Sequence, residues 1–409
     1  MTRIWLGAVA AALCALAGAS RAQEFPEIAD RDYTLDLHQG AVLGSGRIIG
    51  MGGTAVATGE GSPGAQFNPA AAAVRDATAT GTWDWDVYFD YLSSSIGSDF
   101  DNNGVEEHTD SAFLDGPVVT LGGALRRGPW GVSLGLLYYK QPLEEVDDGR
   151  EIEARTGIAR FAVARELRGA GVTVGGGFRT GVFQMDGVDK EDDREIDRTR
   201  LFEITGTSLE AGAVWRPEWL DLRAGLAGSL PVSSEDVTVA KCDPLDCEGL
   251  VLPERAALAW QASAGVAWRR AATRWNRTVA ARWRDEKYWL FATDLVLLGH
   301  VPHGYGIDAL TRNQWQPSGR DVGVSPRLGV EVEWIPGWLR LRAGTYWEPS
   351  RFRDDAGEDI PGRLHVTTGI DVRVWTFCLW RERYRLRLSA TSDGAQGYGN
   401  GGLSIGFWH

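Results

Sequence analysis

The chain alternates between apolar and polar residues over long segments, and this pattern limits the fold more than any other feature. Residues 83–91 read WDWDVYFDY, and residues 322–334 and 364–374 alternate in the same way. A period of two is that of a β-strand with one apolar and one polar face. These segments are longer than the ~5–6 residues of a usual strand. They reach the ~9–11 residues that a strand needs to cross a bilayer.

The connections between these segments are alternately short and long. Short ones contain proline, glycine or arginine, as at residues 127–129 and 335–337. Long ones are polar and lie at residues 93–115, 141–151, 186–199, 231–253, 300–320, 349–362 and 392–400. Short turns at one rim and long loops at the other are typical of an outer-membrane β-barrel. The pattern indicates these strands: 81–92, 116–126, 130–140, 152–166, 171–184, 200–215, 219–231, 254–268, 275–299, 321–334, 338–348, 363–375, 383–392 and 401–408.

Residues 275–299 allow one membrane crossing or two, because a charged stretch at 284–287 interrupts them. Two crossings would give an odd number of strands and would exchange the rims of all later connections. Bacterial barrels have an even number, so one crossing is favoured. We therefore predict an all-β fold, a transmembrane antiparallel β-barrel of about 14 strands with both termini at the periplasmic rim.

The first residues indicate export. Arg3 precedes an apolar stretch from Ile4 to Ala19, and the sequence Ser20-Arg21-Ala22 ends in the small residues that signal peptidase recognises. We predict a signal peptide over residues 1–22 and a location in the outer membrane. Many of the 18 tryptophans also lie at strand ends, as in an aromatic girdle: Trp130, Trp215, Trp219, Trp268, Trp275, Trp334, Trp338, Trp375 and Trp380.

Composition and motifs argue against several function classes. The formal net charge of −13 is unsuited to nucleic acid. The sequence has no plausible nucleophile–base set, phosphate loop or HExxH motif. His108 and His365 are the only candidates for a hydrolase of the outer membrane, and neither has an evident partner. We predict that the protein is not an enzyme and needs no cofactor.

Two pairs of residues were considered as metal ligands. His300 and His303 lack a third ligand, so we predict no metal site there. Cys242 and Cys247 flank a turn with Pro244. In an oxidising compartment such a pair predicts a disulfide. A metal pair is the alternative, but no histidine or further cysteine lies nearby in sequence.

Charged residues on the polar faces of the strands predict a charged lumen. Arg340 and Arg342 lie across one turn from Glu331 and Glu333 and should pair with them. Such residues could hold a plug or guide a polar headgroup; the alternative is a wall of mutually compensating charge. The predicted set comprises Asp84, Asp86, Asp90, Glu331, Glu333, Arg340, Arg342, Arg383, Arg385 and Arg387.

Ahead of the first strand, residues 48–74 are rich in glycine and alanine and lack alternation. They contain Gly50, Gly52 and Gly53 and the motif Phe67-Asn68-Pro69-Ala70. This region resembles the N-terminal region of the FadL-like family, outer-membrane transporters of long-chain fatty acids and other hydrophobic compounds. Residues 339–350 and 362–372 resemble the late strand pair of the same family.

The resemblance implies that residues 23–80 fold into the lumen as a plug. It also implies that the barrel, residues 81–409, takes up hydrophobic or amphipathic small molecules passively. Asn68 should hydrogen-bond to backbone, since Pro69 favours a turn. Gly52 and Gly53 should pack against the wall or take positive φ. A flexible linker is the alternative for this segment.

The long loops differ from the apolar loops expected of the family, because residues 99–110, 144–151, 189–197 and 354–359 are strongly acidic. Such runs could bind Ca²⁺ weakly, bridge lipopolysaccharide through cations, or be solvated surface. The expected partners are outer-membrane lipid, lipopolysaccharide and a hydrophobic small-molecule ligand, without nucleic acid. The alternative function is a non-transport barrel that serves protein partners as a scaffold or secretion shuttle.

Overall fold

The structure is a computed structural model. It describes residues 25–38, 40–74, 81–94, 99–104, 117–146, 150–167, 169–191, 194–234, 237–239, 242–247, 249–279, 283–354, 356–379 and 382–407. The predicted signal peptide, the last residues of the predicted plug segment (75–80) and His108 lie outside these ranges. No helix within the ranges is long and apolar enough to cross a membrane.

Antiparallel strands form a closed barrel. Each strand pairs with its neighbours along the chain, and the first pairs with the last, with Tyr88 opposite Gly406. This confirms the predicted all-β barrel and its strand number. The fourteen barrel strands of the described residues are β1 Trp83–Ser94, β2 Pro117–Arg127, β3 Trp130–Val146, β4 Arg150–Leu167, β5 Val172–Glu191, β6 Arg194–Trp215, β7 Leu222–Ser229, β8 Gln261–Arg270, β9 Trp289–Leu298, β10 Gly323–Ile335, β11 Leu339–Glu348, β12 Arg363–Leu379, β13 Glu382–Ala395 and β14 Tyr398–Phe407.

The segment before β9 departs from the expected strand 275–299. Of its described residues, Trp289–Leu298 alone form a barrel strand, so the prediction of one crossing is correct, but the predicted start is wrong. Arg284 donates hydrogen bonds to the carbonyls of Arg274 and Trp275, which folds the segment back on itself. Trp275 and Tyr288 are buried inside the barrel as a result. Trp275 is therefore not a girdle residue.

Several connections at the long-loop rim are strand extensions rather than loops. β5 and β6 have 20 and 22 residues, and only residues 192–193 separate them. The predicted polar loops 141–151, 186–199 and 392–400 consequently lie largely within hairpins. Conversely, the predicted strand 254–268 is divided, because Arg255–Leu258 pairs outside the barrel and β8 begins at Gln261. These hairpin extensions have the polar composition of loops because strands that extend beyond the membrane contact water on both faces.

The two faces of the barrel wall differ in polarity. In β10, Leu328 is 56% exposed on the outer face, whereas Glu331 on the inner face is 0% exposed. A closed barrel with paired backbone groups and an apolar outer band is a membrane-spanning structure. Exposed tryptophans mark the short-turn rim: Trp83, Trp130, Trp219, Trp268, Trp289, Trp334, Trp338 and Trp375.

The first described residues lie at the long-loop rim. Strand Thr34–Asp36 pairs in parallel with Arg255–Leu258 and Gly304–Tyr305, and Val232–Ser234 and Pro317–Ser318 complete this small sheet. The barrel itself begins and ends at the short-turn rim, with Trp83 in the first strand and Phe407 in the last, whereas the segment ahead of the plug lies at the opposite rim.

An apolar cluster between this sheet and the extended strands explains the placement. Tyr33 and Leu35 are buried there with Phe183 and Phe202, and burial of such side chains stabilises by ~1.5–3 kcal/mol each. Cys247 belongs to the same cluster and forms a disulfide with Cys242.

From this rim the chain enters the lumen, where residues 40–74 form a plug. The plug contains helices Gly46–Gly50 and Gly61–Ala65 and a 3₁₀-helix, Pro69–Ala73. Its side chains are largely buried, and Asn68 is 0% exposed. The predicted plug is thus confirmed, and the flexible linker is not.

Glycines on the inner wall let the plug backbone approach closely. A Cβ added to any of them would lie 2.1–2.5 Å from a backbone atom of the plug, far inside van der Waals contact. Each comes from a different strand, so the plug rests on most of the circumference. These wall glycines are Gly131, Gly175, Gly225, Gly329 and Gly344.

Gly52→Ala should loosen the plug. Gly52 has φ +63°, and its Cβ would lie 2.5 Å from the carbonyl oxygen of Leu328. Strain at positive φ costs ~1–3 kcal/mol, and the collision adds to it. We expect a larger single-channel conductance in planar bilayers and a lower midpoint of heat-induced unfolding, followed by gel mobility. Gly128→Ala is the matched control, since Gly128 has φ +57° with nothing within 4 Å of the added Cβ. Equal conductance in both variants would contradict the role of this contact.

Candidate functional site

Wall carboxylates hold the backbone of the plug. Asp294 on β9 accepts hydrogen bonds from the N–H groups of Ala55 and Val56 at 2.7 and 2.9 Å. Its side chain lies over Gly265 of β8, where a Cβ would meet it at 2.0 Å. Hydrogen bonds with one charged partner are stronger than neutral ones. Asp294 therefore anchors the middle of the plug to the wall.

Two of the predicted aspartates of β1 make similar contacts. Asp90 accepts a hydrogen bond from the N–H of Gly46 at 2.8 Å, at the start of the first plug helix. Asp86 accepts from the N–H of Ser62 at 3.0 Å, at the start of the second. Asp84 is half-buried nearer the short-turn rim. Two of the three predicted aspartates of β1 thus bind the plug directly.

Asn68 joins two parts of the plug to the wall. Its Nδ2 donates to the carbonyl of Val56 at 2.9 Å and to that of Ala213 on β6 at 3.2 Å. Its Oδ1 accepts from the N–H of Ala70 at 3.1 Å, which caps the 3₁₀-helix that Pro69 begins. The motif Phe67-Asn68-Pro69-Ala70 is therefore a structural joint of the plug.

A buried ion-pair network centres on Glu331. Its carboxylate accepts hydrogen bonds from Arg47 of the plug at 3.0 and 3.1 Å, from Arg342 at 2.5 Å, and from the hydroxyl of Tyr288 at 2.8 Å. Arg342 also binds Asp371 on β12. Because Glu331 and Arg342 are both fully buried, each charge depends on the others for compensation.

The other charged residues of the predicted set form single ion pairs or are exposed. Arg340 pairs with Glu333 at 2.9 Å, as the hairpin register implied. Arg387 lies 3.4 Å from Asp371. Arg385 pairs with Asp285 at 2.6 Å, while Arg383 is exposed.

His365 lies between two carboxylates that sequence reasoning did not identify as its partners. Its Nδ1 is 2.8 Å from Asp393, and its Nε2 is 2.5 Å from Glu348. The ring stacks on Tyr346, whose hydroxyl donates to Asp393 and accepts from the N–H of Val42 in the plug. These partners are carboxylates and a phenol rather than a nucleophile. The cluster joins the wall to the plug.

An outer cavity of about 140 Å³ lies between the plug and the long-loop rim. Its floor includes Val42 and Phe67 of the plug, and its walls include Leu137, Ile158 and Leu298. These side chains make an apolar surface that suits a hydrocarbon chain.

Arginines interrupt this apolar surface. Arg179 donates to the hydroxyl of Ser208 and to two backbone carbonyls at 2.8 and 3.2 Å. Arg327 donates to the hydroxyl of Ser325 and to the carbonyl of Gly53. Both guanidinium groups thus bond to neutral acceptors, while a third, Arg160, pairs with Glu210 at 3.3 Å.

His38 adds no charge to the outer cavity. It lies at the edge of the cavity in the N-terminal segment. Burial, together with the charge of Arg351, lowers the pKa of His38 to about 4. Its imidazole is therefore neutral at neutral pH, and the cavity has a net positive character.

An inner cavity of about 140 Å³ lies between the plug and the short-turn rim. Arg47, Glu60, Arg223, Arg269 and Tyr288 are among the residues that line it. The plug separates it from the outer cavity, so a molecule that entered from the long-loop rim would meet the plug first.

Comparison with known proteins tests the fold. No protein-family model matches the sequence, and no curated protein does. A FadL homologue from Pseudomonas aeruginosa is similar, with 12% identity, 91% of this chain and 98% of that chain covered, and a TM-score of 0.50. The P. putida toluene transporter TodX is 11% identical, with 89% of this chain and 98% of that chain covered and a TM-score of 0.50. The monoaromatic hydrocarbon channel CymD is 10% identical, with 90% of this chain and 97% of that chain covered and a TM-score of 0.50.

This chain has the FadL-like fold. The resemblance inferred from Gly50, Gly52, Gly53 and the motif at 67–70 is confirmed at the level of the fold. Sequence reasoning missed Arg47 and Asp294, which anchor the plug of this FadL-like barrel. Asp371 did carry a signal, since it lies on the polar face of an alternating segment.

Arg47→Met should weaken the attachment of the plug. Removal of one partner from a buried ion pair costs ~3–5 kcal/mol. We expect less, about 1–3 kcal/mol, because Arg47 is 22% exposed and Glu331 keeps Arg342. The midpoint of heat-induced unfolding should fall, and single-channel conductance should rise. Arg383→Met, which removes an exposed charge from the wall, should change neither. An unaltered conductance in Arg47→Met would show that this ion pair does not hold the plug.

Proposed function

We propose that the protein is a passive channel for amphipathic anions of the long-chain fatty acid type. The observation that carries the proposal is the outer cavity, where apolar walls surround two buried arginines, Arg179 and Arg327, that bond to neutral acceptors. A cavity with one hydrocarbon surface and, among the described residues that line it, three arginines to one carboxylate suits a ligand with an apolar tail and an anionic head.

The energetics of burial support an anionic head. A buried charge is costly unless an opposite charge and hydrogen bonds compensate it. A carboxylate could accept parallel hydrogen bonds from a guanidinium group, and its negative charge would add to that of Glu210, which also lines the cavity. An uncharged aromatic compound would add no negative charge to balance Arg179 and Arg327. We therefore favour an amphipathic anion over a neutral hydrocarbon, although the structurally similar TodX and CymD are described as a toluene transporter and a hydrocarbon channel.

The apolar band and the tryptophan rim support a place in a bilayer, and we propose that it is the outer membrane. The proposal includes export by the signal peptide 1–22, a plug segment over 23–80 and a barrel over 81–409. Lipid and lipopolysaccharide would surround the outer face. The plug between the two cavities would have to shift before a ligand could reach the short-turn rim.

Arg179→Gln should weaken the binding of anionic ligands but not that of neutral ligands. A hydrogen bond to a charged group contributes about 1.5–3 kcal/mol, which corresponds to roughly 10–100-fold in affinity. We expect binding of oleate to weaken by that factor and binding of oleyl alcohol to stay within experimental error. Calorimetric titration of the detergent-solubilised protein measures both. Arg255→Gln, at an exposed ion pair with Asp32, is the control. Equal losses for both ligands would contradict the headgroup assignment.

Ser263→Phe should obstruct the outer cavity. Ser263 lines this cavity, and its neighbour Ala264 lies on the outer face of the same strand. Uptake of labelled oleate by cells that express Ser263→Phe should fall several-fold, while Ala264→Phe should transport like wild type at equal amounts of outer-membrane protein. If Ser263→Phe transports normally, the cavity is not on the ligand's path, whereas failure of the wild type to raise uptake would overturn the proposed function.

A further inference from the structure

The loop after β1 contains a motif that the proposed transport function does not explain. Residues 99–104 read Asp-Phe-Asp-Asn-Asn-Gly. This matches the start of the D-x-[DN]-x-[DN]-G pattern of calcium-binding loops. In that pattern the side chains of the first, third and fifth residues supply oxygen ligands, and glycine at the sixth allows a sharp turn. Here these positions are Asp99, Asp101, Asn103 and Gly104.

The segment is folded around its first carboxylate. One oxygen of Asp99 accepts a hydrogen bond from the N–H of Asn103 at 2.9 Å, and the other accepts from the N–H of Gly104 at 3.0 Å. Gly104 has φ +87°. An ionised carboxylate has about four lone-pair sites, so these two bonds leave Asp99 able to bind a cation as well.

A carboxylate from a different loop lies beside this segment. Asp308 belongs to the short helix Ile307–Thr311, and it accepts a hydrogen bond from Nδ2 of Asn103 at 2.6 Å. Gln141 of β3 donates to its other oxygen at 3.4 Å. Asp99, Asp101 and Asp308 are only 8%, 4% and 3% exposed, respectively. Three carboxylates are thus removed from water in one place.

Asp101 has a buried carboxylate oxygen that no hydrogen bond satisfies. This oxygen is Oδ1. The negative charges of Asp308 and Asp99 act on the same side chain. The nearby Arg363 donates to the carbonyl of Asp99, but its charge is paired with Glu348 at 2.8 Å. A buried carboxylate oxygen without a partner requires a proton or a cation.

We propose that Asp99, Asp101 and Asn103, together with Asp308, bind one Ca²⁺ ion at the long-loop rim. The available ligands are all oxygen atoms, which hard cations prefer, and Ca²⁺ accepts a flexible set of 6–8 of them. Among the described residues, no three acidic, histidine or cysteine side chains already stand at ligating distance. The ion would therefore draw Asp101 and Asp308 together.

Binding at this position would fasten several loops to one another. The N–H of Asp99 donates to the carbonyl of Gly397 in the turn between β13 and β14 at 2.7 Å. Gln316 donates to the carbonyl of Asn103, and Ser350 to that of Asn102, both at 2.9 Å. A Ca²⁺ ion would thus rigidify these loops at the long-loop rim. Calcium sites of extracellular modules have dissociation constants of about 10⁻⁴–10⁻³ M, and we expect this range here.

The test titrates CaCl₂ into the full-length protein in detergent after removal of metal with EDTA. Wild type should bind one Ca²⁺ ion per chain. Asp101→Asn keeps the shape of the side chain and removes the buried charge, so it should bind at least about tenfold more weakly. Asp359→Asn is the matched control, because Asp359 is an exposed carboxylate of another acidic loop, paired with Arg353. Its affinity for Ca²⁺ should equal that of wild type.

Thermal unfolding separates metal binding from a purely structural role. Calcium should raise the unfolding midpoint of wild type and leave that of Asp101→Asn unchanged. In EDTA, Asp101→Asn should be at least as stable as wild type, because a buried repulsive charge is gone. The proposal is overturned if wild type binds no Ca²⁺ up to about 10 mM, ten times the weakest expected dissociation constant. It is also overturned if Asp101→Asn binds as tightly as wild type, or unfolds well below wild type in EDTA.

Discussion

The close approach of the plug backbone to the barrel wall is the contact on which the rest of the lumen depends. Wall glycines such as Gly344 and plug glycines such as Gly52 meet without side chains between them. At that distance no water can reach the plug amides, so they need protein acceptors. Asp294 and Asp90 provide these acceptors. The glycines determine how closely the plug approaches the wall, and the carboxylates accept hydrogen bonds from the plug N–H groups that this approach buries.

The carboxylates of the wall bring negative charge into a buried region, and arginines are needed there to compensate it. Glu331 is compensated by Arg47 and Arg342, so a plug residue takes part in the charge balance of the wall. Displacement of the plug would leave Glu331 with one guanidinium fewer. The same network therefore stabilises the barrel and sets a cost for opening the path between the two cavities.

Charge is distributed unevenly along the lumen. The long-loop rim carries the buried carboxylates Asp101 and Asp308, whereas the outer cavity below it contains Arg179 and Arg327, which bond to neutral acceptors. In our proposals, the first group binds a cation that stiffens the loops of this rim, and the second binds the anionic head of the ligand. The apolar walls between the arginines would hold its tail.

The barrel, its strand number and the plug could be predicted from the sequence, since side-chain alternation and the motif around Asn68 are local properties. The start of β9 was predicted wrongly from the sequence. Trp275 has the same side chain as a girdle tryptophan, and only its burial in the lumen distinguishes it from one. The position of the N-terminal segment was not predicted from the sequence either, because its strand at 34–36 is positioned by loops more than two hundred residues away. The pairing of charges such as Arg47 with Glu331 depends on the folded barrel, because closure of the barrel brings together residues that no local pattern relates.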